Sequence, residues 1–124
     1  MPIKFSSDHG TKAIVTTATG IVSCEDILNH IEAKVVADVL TYAELFDARD
    51  VTLDVSIAEL NVIAKEAREA TGQQKPGRIA VVTNSSFIYG LAKLYASLTE
   101  KDNPHFEIFR EMDAARSWIA GNGN

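Results

Sequence analysis

The sequence predicts an α/β protein: a mainly parallel five-stranded sheet with four helices, in the order ββαβαβαβα. Three observations carry that expectation. Short runs rich in Val, Ile and Thr alternate with longer segments of helical apolar spacing. Capping signals stand where the helical segments begin, at Ser23, Ser56 and the pair Ser85-Ser86. The run Ile79-Ala80-Val81-Val82 is apolar throughout, as in a strand buried on both faces.

The elements follow in order. Ile3 to Ser6 and Lys12 to Thr19 read as two strands joined by Ser7-Asp8-His9-Gly10, with Gly20 as a break. So short a link makes the first strand antiparallel and places it at an edge. Ser23, with Asp26 three residues on, starts a helix to about Ala37 that carries Ile27, Ile31 and Val35 on one face. Tyr42 to Asp47 is the third strand, followed by a loop from Arg49 to Val55. Ser56-Ile57-Ala58-Glu59 is a capping box. Its helix turns Ile57, Leu60, Ala64 and Ala67 inward and stops at Gly72. After the Pro76-Gly77 turn, Arg78 to Thr83 is the fourth strand. Phe87, Leu91, Leu94 and Leu98 form the stripe of a third helix, and Asn103-Pro104 closes that region. His105 to Phe109 is the last strand. Asp113 caps a short final helix with Ala114, Ala115, Trp118 and Ile119, and Gly121 stops it.

Two strands break the buried pattern. Tyr42, Glu44 and Phe46 share one face opposite Ala43, Leu45 and Asp47, and His105, Glu107 and Phe109 share one face opposite Phe106 and Ile108. An ionised glutamate in a dry core is costly, so part of one sheet face is expected to be wet or covered by a partner.

Bulk composition excludes several classes. The 124 residues carry 12 basic and 17 acidic side chains, a net charge of −5, with the basic residues scattered. That balance argues against nucleic acid and against anionic membranes. With 46% hydrophobic and 23% charged residues the chain is neither disordered nor a coiled coil. Cys24 is the sole cysteine, so no intramolecular disulfide forms and a cytoplasmic location is expected. Met1 to Ser7 has no signal-peptide core, and no apolar run is long enough to insert in a membrane.

The residues of these elements, taken together, resemble a known family. They are Gly20, Ser23-Cys24-Glu25-Asp26, Leu45-Phe46-Asp47, Arg78-Ile79-Ala80-Val81-Val82-Thr83, Tyr89-Gly90-Leu91-Ala92-Lys93, Phe109-Arg110 and Asp113-Ala114-Ala115-Arg116-Ser117-Trp118-Ile119. In this order they look like the STAS or SpoIIAA-like fold, and more closely the stand-alone bacterial proteins grouped as STAS/SEC14 domain-containing. The resemblance runs from about Ile3 to Ala120 and implies a single STAS-like domain over residues 1–120, with 121–124 as a flexible tail. It also implies successive right-handed βα turns and no prosthetic group or other cofactor. In anti-sigma-factor antagonists of the wider family, a serine opening the second helix, within Asp-Ser-Ser-Gly, is phosphorylated by a partner kinase. Asp54-Val55-Ser56-Ile57 is similar to that stretch: Ser56 falls on the phosphorylated position, Asp54 on the leading acid, and Ile57 replaces the glycine.

Each candidate residue also has an ordinary structural role. Ser56 is explained as an N-cap, and its functional role is a phospho-switch at the positive end of a helix. Cys24 lies in a first helical turn, but Glu25 and Asp26 oppose its ionisation, so a buried inert thiol is expected. His9, His30 and His105 match no metal-site spacing, so no metal is expected. Neither Gly-x-Ser-x-Gly nor a Gly-rich phosphate loop occurs. Asp47, Asp50 and Asp54 read as loop and helix-start acids. Gly90 in the third helix points to a close helix–sheet approach, and Lys93 to solvent.

Ligands of open α/β sheets favour the carboxyl ends of strands. Asp47, Thr83, Asn84 and Arg110 are expected there, near the helix starts at Ser56 and Ser86, where backbone N–H groups suit a small anion or a phosphorylated group. The leading expectation is a non-enzymatic, regulatory protein-binding module whose partner is another protein or a second copy in a homodimer. Its surface would comprise Arg49, Asp54 and Ser56 with the open sheet face bearing Tyr42, Phe46 and Phe109. The alternative is a carrier or sensor for a small apolar or lipid-like ligand, lined by the first and third helices, in keeping with the SEC14 resemblance. A small enzyme using Asp47, Ser56 or Asn84 ranks third.

Overall fold

The computed structural model describes residues 2–99 and 106–121, so His105, Asn103-Pro104 and the tail beyond Gly121 lie outside the described residues. The strands are β1 (Ile3–Asp8), β2 (Ala13–Ser23), β3 (Ala43–Asp54), β4 (Ile79–Val82) and β5 (Phe106–Phe109). The helices are α1 (Cys24–Val36), α2 (Ile57–Thr71), α3 (Ser86–Thr99) and α4 (Met112–Ile119). This is the expected order, and the sheet runs β1-β2-β3-β4-β5 with β1 antiparallel to β2 and every other pair parallel.

Each crossover steps one strand in the same direction. Right-handed connections therefore lay α1, α2 and α3 on one face of the sheet. On that side Cys24, Val55, Leu60 and Ile63 form a core joined by Ile27, Ile31, Leu91 and Leu94. α4 covers the opposite face, where Ala115, Met112 and Trp118 pack on Leu45, Ala80 and Val82. β4 is thus enclosed from both sides, as its unbroken apolar run requires.

Several local expectations are corrected. Gly20 does not end β2. It adopts φ +73°, which a side chain would resist, and the strand continues to Ser23. The residues from Arg49 to Asp54 are accordingly strand, not loop, because Gly20 to Ser23 offer them backbone partners from Val51 to Asp54. The register slips where Ala48-Arg49 oppose Ala18 alone, a bulge that re-aims the later half of β3. Val35, Ile57 and Phe87 face outward. Lys34 is buried beside Val35 and Ile88 beside Phe87, whereas Leu60 and Ala64 of the α2 stripe are buried as expected. At Lys34 and Ile88 the buried residue is the neighbour of the expected one, which the helical period permits where both are apolar or long-chained. Asp113 does not cap α4. Glu111 is the N-cap, without a side-chain bond. A side chain at Gly90 would meet nothing within 4 Å, so no close approach explains that glycine.

Candidate functional site

The capping box at α2 is present in full. Ser56 Oγ accepts from Glu59 N–H at 3.1 Å, and Glu59 Oε1 accepts from Ser56 N–H at 2.9 Å. Ser56 and Asp54 are exposed, at the far end of β3. Thr83 is buried, and its Oγ1 accepts from Ser85 N–H at 3.1 Å. The Ser85 hydroxyl caps α3 by accepting from Ile88 N–H at 3.1 Å, which leaves Ser86 and Asn84 exposed.

The other candidates are dispersed. Asp47 lies level with Val82 and binds Arg49 through both carboxylate oxygens, each at 2.9 Å. That bidentate guanidinium holds the Asp47 carboxyl below the usual carboxylate range despite partial burial. β3 runs seven residues beyond Asp47 to Asp54, so Ser56 and the α3 start do not share one level of the sheet edge. Tyr42 stands at the opposite end of β3, its hydroxyl 2.7 Å from His9 Nδ1. Phe109 packs on Trp118 beneath α4, and Phe46 faces α1. Arg110 lies over the Tyr89 ring, 4.8 Å from its centroid. The expected site residues therefore form a helix-start group, a β3 ion pair and separate aromatic and cationic positions, not one anion cradle.

The expected wet face is overturned at Glu44. Its side chain points beneath α1 and the residue is 2% exposed. Oε1 accepts from Lys34 Nζ at 2.6 Å. Oε2 accepts from Thr16 Oγ1 at 2.6 Å and from His30 Nε2 at 2.7 Å. Burial alone would raise the Glu44 carboxyl, but the adjacent Lys34 charge and the His30 bond outweigh it and hold the group far below the ordinary range. The His30 ring is fixed edge-on between Phe5 and Phe46, with centroids 5.6 and 5.7 Å away.

This cluster was the main feature missed in the sequence. The available signal was a mismatch of two charges at inward positions. Lys34 continues the stripe of Ile27 and Ile31 at i+7, and Glu44 alternates with the buried Leu45 in a central strand. Each looks like an error alone, and together they are complementary.

The cluster is built to hold charge, not to activate a nucleophile. Thr16 is 0% exposed, and a carboxylate with so depressed a pKa is a weak base toward its hydroxyl. Cys24 is buried, and burial together with Glu59 pushes its thiol up, away from a reactive thiolate. Among the described residues no group of three His, Cys, Asp or Glu side chains is placed to hold a metal ion. No helix among them is long and apolar enough to cross a membrane.

No protein-family model matches the chain, and no curated protein does. Solved structures do. An uncharacterised DUF3478-family protein with a SpoIIAA-like fold from Shewanella loihica PV-4 is similar over 94% of this chain and 93% of its own, with TM-score 0.59 and 14% identity. The Bacillus cell fate determinant SpoIIAA in its phosphorylated form covers 94% and 98%, with TM-score 0.53 and 12% identity. An anti-sigma factor antagonist from Mycobacterium paratuberculosis covers 94% and 93%, with TM-score 0.53 and 19% identity. Together with the strand order and the one-sided helix layer, these likenesses establish that the chain has the SpoIIAA-like fold, that of the STAS domains.

Proposed function

We propose that this chain is a non-enzymatic regulatory module that docks a protein partner over the start of α2, with Ser56 as a phosphorylation switch. The observation that carries this reading is the exposed Ser56-Ile57 step. Ser56 is open to solvent beside its leading Asp54, and Ile57 follows at 62% exposure. Ile21, 68% exposed, lies on the strand paired with the end of β3 and adds apolar area nearby. The fold shared with anti-sigma factor antagonists over nearly the whole chain supports the same reading.

The chemistry of a switch at this position follows from the cap. A phosphoryl group on Ser56 Oγ carries about −1.5 to −2 charges and meets the free N–H groups of α2 favourably. It also meets the Glu59 carboxylate, which sits 2.9 Å from the Ser56 backbone nitrogen. Like charges so close repel, so Glu59 leaves the box and the docking surface changes in both shape and charge.

A benzophenone side chain placed at position 57 of the full chain, in its native host, is expected to give one discrete protein adduct under illumination. The same group at position 15, where Val15 is also exposed on the sheet, gives none, and Ser56→Asp abolishes the adduct at 57. Equal adducts from both positions, no adduct at all, or indifference to Ser56→Asp would overturn the reading. Ser56→Ala is expected to lower stability by about 1 kcal/mol in urea titrations, while Ser56→Asp, itself a good cap, stays close to the parent. The loss of docking in the aspartate variant is thereby separated from any loss of fold.

A further inference from the structure

The α1–α3 layer does not close fully on the sheet. Between them lies a cavity of about 160 Å3, walled by Val81 and Phe106 of the sheet, Ile63 of α2 and Ile88, Leu91 and Ala92 of α3. The space is partly open to solvent, its walls are largely apolar, and its volume is about that of a cavity that accepts one aromatic ring. A second cavity of about 70 Å3 shares the side chains of Lys34 and Tyr95 with the first.

The polar groups at that shared end are unequal in their needs. Glu44 already accepts three hydrogen bonds. Lys34 Nζ donates one hydrogen to Glu44, and no other acceptor among the described residues takes the remaining two. The Tyr95 hydroxyl has no hydrogen-bond partner among the described residues. Burial and the Glu44 charge push its pKa up to about 12, so it keeps its proton. The apolar chamber therefore ends in two donors with hydrogens that no acceptor among the described residues takes. The Lys34 charge is balanced by Glu44, so a second carboxylate brought to this end would compete with Glu44 for Lys34 and be repelled by it. A neutral acceptor has no such penalty.

We infer that the chamber between the helix layer and the sheet is a binding site for a small uncharged apolar molecule bearing one hydrogen-bond acceptor, about the size of a single aromatic ring, with the acceptor held by Lys34 and Tyr95. This site is independent of the partner surface at Ser56.

Three probes of similar shape test it on the full chain: acetophenone, ethylbenzene and benzoate. They are followed by shifts of the Val81, Leu91 and Ala92 methyl signals in NMR titrations. Acetophenone is expected to saturate these signals and to bind at least about threefold tighter than ethylbenzene, the advantage of one or two hydrogen bonds. Benzoate binds more weakly than acetophenone. Ala92→Phe, which fills the chamber, abolishes binding of both neutral probes. The double change Lys34→Met with Glu44→Gln removes both charges at once and reduces acetophenone to the level of ethylbenzene. Tyr95→Phe leaves the ion pair intact and removes part of the same preference, so the inference stays testable if the double variant does not fold. Equal binding of ketone and hydrocarbon, tighter binding of benzoate, binding that survives Ala92→Phe, or no saturable shift up to the solubility limit would each overturn it.

Discussion

Lys34→Met is expected to destabilise the protein by about 3–5 kcal/mol, among the largest effects available to a single substitution in this chain. The reason lies in what remains. Glu44 keeps its place beneath α1, 2% exposed, with its bonds to Thr16 and His30 but without the ammonium that offsets its charge. A buried carboxylate without a counter-ion must either stay charged at high cost or take up a proton. Restoring neutrality with Glu44→Gln in the same chain is expected to recover most of the loss, since removing both members of a buried pair is far less harmful than removing one. Urea unfolding of the two single variants and the double variant at neutral pH measures the coupling.

The same carboxylate sets an acid limit. In the folded protein its pKa lies far below the ordinary value of 4.5 that it regains on unfolding. Below about pH 4.5 the unfolded chain therefore binds a proton that the folded protein refuses. The stabilisation is complete at neutral pH and is lost progressively as the pH falls toward the depressed folded value. Urea midpoints from pH 7 down to pH 3 should decline in the parent and decline less in Glu44→Gln. Parallel slopes in the two proteins would show that Glu44 is not the titrating group.

Gly77→Ala is expected to cost about 3 kcal/mol, at the upper end of overpacking effects. A Cβ built at Gly77 falls inside the van der Waals envelope of the Tyr42 carbonyl and 2.7 Å from the carbonyl oxygen of Thr41. These are backbone atoms, with no flexible side-chain end to give way. The approach is fixed from both sides: Gly77 N–H donates to Leu40 at 3.3 Å, and Glu44 N–H donates to the Arg78 carbonyl at 2.7 Å. Relief of the clash must therefore move the start of β3 or β4, and the start of β3 carries Glu44. Gly90→Ala is the contrasting change. Its Cβ meets nothing within 4 Å in the middle of α3, so it is expected to raise stability by up to about 1 kcal/mol. Thermal unfolding of the two variants should shift in opposite directions.

The fold was legible because its determinants are local and repeated. Cap residues at Ser23 and Ser56, the apolar spacing of α1 to α3 and the β-branched strands each act within a few residues of sequence. Their alternation leaves few topologies open. The boundaries were less legible where a partner strand decides them. Arg49 to Asp54 carries charge enough to read as loop, and only the continuation of β2 past Gly20 supplies the hydrogen bonds that make it strand. Which of two adjacent residues faces inward was likewise settled by packing, as the exchanges of Val35 for Lys34 and Phe87 for Ile88 show.

For the functional residues the division is sharper. The sequence by itself determined the α2 capping box and the position of Ser56 within it, because both partners lie three residues apart. Only the tertiary structure decided that Glu44, His30, Lys34 and Thr16 meet, and that Lys34 and Tyr95 end a common chamber. The Glu44 cluster spans three elements and up to 28 positions of sequence, and Tyr95 adds a fourth element. A charge at a core position signals a missing partner, but its identity is set by which strand and which helix turn are brought face to face. That is a property of the packed layers, and no local spacing contains it.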